Sequence, residues 1–424
     1  MSVNANIDKV TSITPLAQDC FQFGRQSIID NHYAVYGFEL LYRPIGEIDR
    51  NITGEMATAR TIGTSFSGPN LKQLRDGDKP LFINMTKEHL MNIHLINLPT
   101  DLVVYEILED TIIDSRLIDR ISMLRGSGYR FALDDFKLTK HNKPLIPLVS
   151  YVKLDILAMN KDELVEHIHF LKKFGPTKLK LIAEKIETNE HFNWCKKMGF
   201  DLYQGYLFEK PQLISGVALN PSRSGIQRAL QRTNDPQASF IDIADLIAED
   251  PGLTFKLLRF CGHTQNLKMS HQLHEILEDL GIVKLRVILS LFALGNHRTE
   301  TNQHIKDSLL KAQQCKQIAI DHQLPMPSLY HMAGMISQWE QFSHDPLEQL
   351  ISPLPLKRHI KDGILNRTGQ IGDALNAIEE ARSYQSSTQN LPSPFANTIL
   401  SNSKNNTMSV DLIMGALNDR IDQY

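Results

Sequence analysis

Between residues 20 and 208 short apolar runs recur, and most of them end in an acid or another oxygen-bearing side chain. The clearest are GFELLYR, LFINM, VVYEILED and FALDDF, which place Glu39, Asn84, Glu106, Asp134 and Asp135 at or near the run ends. A strand buried on both faces reads as a continuous apolar stretch. Charges gathered at the ends of such strands therefore predict one polar rim on a barrel. That rim is where (β/α) barrels keep their chemistry.

Four further runs, FQFGRQSII, YVKLDIL, KLKLIAEKI and LYQGYLF, bring the strand candidates to eight. Only DNHYAVY separates the first two, which predicts a hairpin and not a βαβ crossover. Later gaps are long enough for a helix each, and DTIIDSRLIDRISMLRGSG and NEHFNWCKKMGF carry apolar residues at helical spacing. The expected fold is α/β followed by all-α. A TIM-like (β/α) barrel with an antiparallel first strand spans 20–212, after a flexible segment at 1–19. From about Gly216 no convincing strand follows, and FIDIADLIAED, LTFKLLRFC and HEILEDLGIVKLRVILSLFALG show helical periodicity. Residues 213–424 therefore read as a helical domain. Within it RSYQSSTQNLPSPFANTILSNSKNN, rich in Ser, Asn and Pro, predicts a long loop before a last helix.

Bulk properties narrow the function. A chain of 424 residues exceeds one ordinary core, so two domains are expected. Its formal charge, 45 − 48 = −3, offers no global basic field for a nucleic-acid polymer. Cys20, Cys195, Cys261 and Cys315 lack CxxC spacing, which argues against zinc and a disulfide framework and suits a reducing cytoplasm. The polar N-terminus is a poor signal peptide, and no run approaches the roughly 18 apolar residues of a spanning helix. A soluble, cytoplasmic protein with no membrane partner is the expectation.

Glu39, Asn84, Glu106, Asp134, Asp135, Asp155, Glu184 and Glu187 form an oxygen-only set, with no histidine or cysteine among them. Such a set suits Mg²⁺ or Mn²⁺ better than zinc. Several carboxylates at one mouth repel each other unless cations neutralise them. Two adjacent metals could activate a water and stabilise the charge that develops in phosphodiester cleavage. Lys153 is the cation of the set and could orient that water or balance a phosphate oxygen. Arg43, four residues after Glu39, could clamp a phosphate. Any single acid at a strand end is usually a helix cap or a solvated loop residue. Across five or six strands pointing one way, that explanation loses force. Glu109, three residues after Glu106, stays open: it caps the next helix or holds a neighbouring loop.

With these residues in place, the stretch from about 20 to 210 resembles an EAL domain, the cyclic di-GMP phosphodiesterase barrel. The signature stands as Glu39-Leu40-Leu41 with Arg43 following, and the metal-binding Asn matches Asn84. The Glu-x-x-Glu strand end matches Glu106 and Glu109, and Asp134-Asp135-Phe136 is intact. The Lys-x-Asp pair falls at Lys153 and Asp155, AEGVET becomes Ala183-Glu184-Lys185-Ile186-Glu187-Thr188, and QGY is Gln204-Gly205-Tyr206. The resemblance implies a two-metal Mg²⁺ or Mn²⁺ site at Glu39, Asn84, Glu106, Asp134, Asp135 and Glu187. It implies catalytic roles for Glu39, Lys153, Glu187 and Gln204, substrate contacts at Arg43, Asp155 and Gln204, and a loop anchor at Glu109. Cyclic di-GMP would be opened to linear pGpG in motility or biofilm control, and the barrel would pair as a homodimer. Three departures stand out: Leu40 for Ala, Lys185 for Gly, and Lys137–Asn142 where the family has a Gly-Thr-Gly loop. Losing both glycines removes easy access to positive φ, so this loop must take another shape. Turnover and dimerisation are the properties it bears on.

Residues from roughly 215 to 405 resemble an HDOD domain, carried by DPGLTFKLLRFCGHTQNLKMSHQLHEILEDLGIVKLRVILSLFAL. EAL followed by HDOD is a bacterial signalling arrangement. An HD hydrolase needs a His-Asp pair on a helix, whereas His344-Asp345 is followed by Pro346 and reads as a loop. His263, His271, His274 and His331 read as surface or satisfied core histidines, and Met332, Met335 and Trp339 as core. This half is expected to be a non-catalytic interaction or sensory module with an unidentified protein partner. The alternative for the whole chain is a degenerate barrel that binds cyclic di-GMP or a protein and signals through the helical half.

Overall fold

The computed structural model describes residues 20–43, 52–67, 71–96, 98–217, 220–264, 267–295, 303–342 and 346–386. The N-terminal stretch 1–19, His344-Asp345 and everything past Ser386 lie outside them.

β1 (Cys20–Asp30) and β2 (Val35–Tyr42) form the expected antiparallel hairpin. β3 (Leu81–Met85), β4 (Val103–Ile107), β5 (Arg130–Leu133), β6 (Tyr151–Asp155), β7 (Lys180–Glu184) and β8 (Leu202–Tyr203) follow, each parallel to its predecessor. β1 also pairs antiparallel with β8, which closes an eight-stranded barrel. The crossovers carry α1 (Gly54–Ser67), α2 (Leu71–Arg75), α3 (Lys87–Ile96), α4 (Ser115–Gly126), α5 (Lys161–Phe174) and α6 (Asn189–Met198). A short 3-10 turn, Lys143–Leu148, replaces a helix between β5 and β6. Side-chain caps start these helices where the sequence offers them: Asp114 for α4, Asn160 with Glu163 for α5, and Thr188 for α6.

One strand was not expected. β9 (Gln212–Val217) pairs antiparallel with Cys20–Arg25, the part of β1 that β8 does not reach. It crosses the line at 213 where the helical half was to begin. An eleven-residue β1 would otherwise leave open hydrogen-bonding groups along that edge, and β9 covers them. QLISGV lacks a long apolar run, so its strand character comes from that pairing.

Two layers fill the barrel interior. Ile28, Phe82, Val104, Ala132, Tyr151, Ile182 and Leu202 form a closed apolar cluster of their own. The strand period of two sends the intervening residues outward. Leu81, Ile83, Val103, Tyr105, Phe131, Val152, Leu154, Leu181 and Ala183 join the large core under the helices. At the lower end the hydroxyls of Tyr36 and Tyr151 meet at 2.6 Å.

Beyond β9 come α7 (Arg223–Thr233), α8 (Phe240–Ala248), α9 (Pro251–Gly262), α10 (Leu273–Leu280), α11 (Ile282–Gly295), α12 (Gln303–Asp321), α13 (Pro327–Ile336), α14 (Leu347–Ile351), α15 (Arg358–Leu365) and α16 (Gly369–Ser386). The last one corrects the expected loop: Arg382–Ser386 continue α16, and the rest of that stretch lies outside the described residues. Met332, Met335 and Trp339 are buried, with the Trp339 ring edge-on to Phe255 at 4.6 Å. The helical half meets the barrel through α1, which packs on β2 and β3 with one face and on α9 and α11 with the other. Phe66 of α1, fully buried, meets the Phe260 ring there. Burial of that kind contributes about 2–3 kcal/mol. Among the described residues no helix is long and apolar enough to cross a membrane.

Candidate metal centre at the barrel mouth

The polar layer follows from strand parity. Two residues beyond Phe82, Val104, Ala132, Tyr151, Ile182 and Leu202 stand Asn84, Glu106, Asp134, Lys153, Glu184 and Gln204. Each shares the inward face of its strand, one layer nearer the strand C-terminus. β1 and β2 run opposite ways and add Gln26 and Glu39, paired in register. Most of these side chains are buried, Glu106 and Lys153 completely.

Lys153 stands in the middle. Its Nζ lies 2.8 Å from Asp134 Oδ1, 2.9 Å from Glu106 Oε1, 3.0 Å from Glu184 Oε1 and 3.2 Å from Glu39 Oε1. An ammonium has three hydrogens for these four carboxylates. None of the four contacts is a well-directed hydrogen bond, since Lys153 Nζ and both Glu106 oxygens have no hydrogen-bond partner, and the attraction is ionic. Burial alone would lower the Lys153 pKa, but Asp134, Glu106, Glu184 and Glu39 outweigh it and hold the amine well above the usual lysine range. Desolvation pushes Glu106 well above the ordinary carboxyl value despite Lys153, with Glu39 and Asp134 adding to the rise. Desolvation likewise raises Glu184 to about 8. One cation is too few for this cluster.

A divalent ion fits what is missing. Glu39, Glu106 and Asp134 each offer an oxygen within 4.8 Å of the others. Asn84 Oδ1, Glu184 Oε2 and Gln204 Oε1 are also buried oxygens without a partner. Unpartnered oxygens and excess negative charge are the donor set of a hard cation. No other group of this kind occurs among the described residues. The helical half instead holds a cavity of about 200 Å³ lined by Asp245, His274, Lys316 and His331 among others.

Gln204 fixes the inner edge. Its Nε2 donates to Glu39 Oε2 at 2.6 Å and to Gln26 Oε1 at 3.0 Å. Gln26 escaped sequence reading; its only signal was its place two residues before Ile28 on an inward face. Gly205 lets β8 run against the segment after β7. A Cβ there would meet Ile186 N and O at 2.2 Å, while Ile186 N donates to Gln204 O.

Other expected residues lie apart from this group. Glu187 is exposed, and Glu184 occupies the buried position in its place. β7 ends at Glu184, after which Lys185 turns at φ 59° and the alternation is lost. Glu109 is exposed on the turn after β4 and does not cap α4, because Asp114 does. Arg43 is exposed just past β2, with its guanidinium against Gly24. Asp135 is half-buried at φ 41° beside Asp134. Asp155 is committed: Oδ1 accepts from Leu157 N and Ala158 N, and Oδ2 pairs with Lys185.

The departing loop is held by its own side chains. Thr139 N donates to Asn142 Oδ1, Asn142 N to Thr139 Oγ1, and Asn142 Nδ2 to Lys137 O. Leu138 N donates to His167 Nε2, which requires the proton of a neutral His167 on Nδ1, facing Glu163 O. No residue from 137 to 142 takes positive φ; that conformation falls on Asp135 instead. Of the expected satisfied histidines, His263 is an exception, since its Nε2 is buried without a partner.

Residues 68–211 match the EAL domain family. Asn84 through Gln204 fall inside that stretch, whereas Glu39 and Arg43 precede it. The chain is 29% identical over 367 residues to cyclic di-GMP phosphodiesterase CdgJ of Vibrio cholerae, covering 84% of this chain and 83% of that protein. It is 28% identical over 372 residues to YuxH of Bacillus subtilis, an uncharacterized protein, covering 84% and 89%. Coverage of 84% exceeds the barrel, so this distant homology reaches into the helical half. Among solved structures, the calcium and cyclic di-GMP complex of BlrP1 from Klebsiella pneumoniae matches 48% of this chain and 59% of that one. Its identity is 21% and its TM-score 0.39.

Proposed function

We propose that the chain is a metal-dependent phosphodiesterase that hydrolyses cyclic di-GMP to linear pGpG. The observation that carries this is the buried group of Glu39, Glu106 and Asp134 around Lys153, with oxygens left unpartnered. Glu39, Asn84, Glu106 and Asp134 would hold Mg²⁺ or Mn²⁺, with Asp135 beside them and Glu184 in the role first given to Glu187. Bound there, the metal would supply charge to a phosphate oxygen and a more acidic water. Lys153 stays protonated, so it orients the water and balances phosphate charge and cannot accept the water's proton. Gln204 holds Glu39 in place with its amide and keeps Oε1 for a water or substrate hydroxyl. Arg43, exposed past β2, would meet a phosphate entering from solvent. Water adds to phosphorus, the ester bond to the 3′ oxygen breaks, and that oxygen leaves as a hydroxyl. The helical half would act as an HDOD-type interaction or sensory module, in a cytoplasmic protein controlling motility or biofilm formation.

Incubation of the folded chain with cyclic di-GMP and Mg²⁺ or Mn²⁺ tests this, with pGpG as the expected product. Absence of hydrolysis under either metal would sink it. A second reading, binding without turnover, draws support from the self-held Lys137–Asn142 loop and the paired Asp155. Calorimetric binding of cyclic di-GMP with no pGpG would favour that reading.

A further inference from the structure

Two groups of acids share the barrel mouth. The inner one surrounds Lys153. The outer one, Asp155 and Asp135, faces Lys185, whose ammonium pairs with Asp155 Oδ2 and feels the charge of Asp135 and, from the inner group, of Glu184.

The pairing is built by the sheet. β6 and β7 align Asp155 with Glu184, so the residue after Glu184 is the first free to turn over Asp155. Lys185 makes that turn at φ 59°, a conformation costing an L residue about 1–2 kcal/mol. The other Asp155 oxygen is used by Leu157 N and Ala158 N, so the carboxylate cannot swing away to follow a metal. The Lys185 side chain is 55% exposed, so packing does not hold it there; the carboxylates do. Asp135, meanwhile, stands outside the compact oxygen group of Glu39, Glu106 and Asp134.

We propose that Lys185 is a tethered cation for the outer acids, so that the mouth takes up a single divalent ion, at Glu39, Glu106 and Asp134. This rests on the metal-centre reading above. A covalently attached ammonium cannot dissociate, so the outer position stays filled whatever the metal concentration. It is also a point charge without ligand geometry, and it can swing toward a substrate phosphate without unloading the inner site.

Titration of the full chain with Mn²⁺, followed by calorimetry and by electron paramagnetic resonance, tests this. The native chain should take up about one Mn²⁺ with the spectrum of an isolated ion, and Lys185→Gly about two with a spin-coupled spectrum. Lys185→Gly relieves the positive φ and should melt no lower than the native chain. Lys185→Arg keeps the charge and should remain at about one. Two ions in the native chain, one in Lys185→Gly, or two in Lys185→Arg would each overturn the tethered cation and leave the metal centre standing. No Mn²⁺ in any of the three chains would overturn both.

Discussion

Lys153 and Lys256 are both buried lysines, one in the barrel and one in the helical half. Lys153 is ringed by four carboxylates and held above the normal lysine range. Lys256, 5% exposed on α9, has no carboxylate partner among the described residues. Its Nζ lies 5.2 Å from the centre of the Phe292 ring, and desolvation, with Arg60 adding repulsion, lowers its pKa to about 8. Burial pulls both amines the same way, and their partners decide the sign. The barrel mouth has negative charge in excess and calls for more cation. The interface has a cation in excess and gains nothing from it in stability.

The largest expected effect is on turnover. Glu39→Ala removes both a metal oxygen and the partner of Gln204, and kcat should fall by at least about 10³-fold. Steady-state pGpG formation in the folded variant measures it; unchanged turnover would mean the site lies elsewhere.

The two lysines should then respond oppositely to the same change. Lys153→Met leaves the carboxylates uncompensated and should cost about 3–5 kcal/mol in urea unfolding of metal-free protein. Lys256→Met should stabilise by about 1–3 kcal/mol at pH 7, because the folded state no longer buries a lone charge. Its pH signature follows from the depressed pKa. Below pH 8 both folded and unfolded lysine are charged and the cost is complete; from about pH 8 to 10.5 the folded amine loses its proton first and stability rises. The native chain should show that rise and Lys256→Met should not. If both lysine variants destabilise equally, the contrast between the two regions fails.

The smallest effect sharpens the same comparison on the acid side. His331, 7% exposed, is pushed down to about 4 by burial and by Lys316. The unfolded state therefore binds the extra proton between pH 6.5 and 4, and stability falls as pH drops through that window. At pH 5 the His331 share of that loss should be about 2 kcal/mol relative to neutral pH, and His331→Gln should lack this share while keeping that of His263, which burial also pushes down to about 4. A native chain equally stable at pH 5 and pH 7 would contradict this.

Much of the site was legible because strand alternation is local. Phe82 to Asn84, Val104 to Glu106 and Ala132 to Asp134 each need only a two-residue step to share a face. Where alternation stops is not local. Glu184 and Glu187 look alike in AEKIET, yet β7 ends between them and only Glu184 stays inside. Gln26 was hidden because an antiparallel strand presents its polar residue before its apolar one. β9 was hidden because pairing with β1, and not its own pattern, makes it a strand.

The sequence by itself determined the hairpin start, the parallel barrel, the helical second half, and which side chains could face the lumen. Those properties depend on residue spacing along a few positions. Only the tertiary structure decided that Glu184 and not Glu187 joins the cluster, that Lys185 reaches Asp155, and that two buried lysines shift in opposite directions. A charge takes its energy from what surrounds it in space, and Lys153 meets its four acids across strands far apart in the chain.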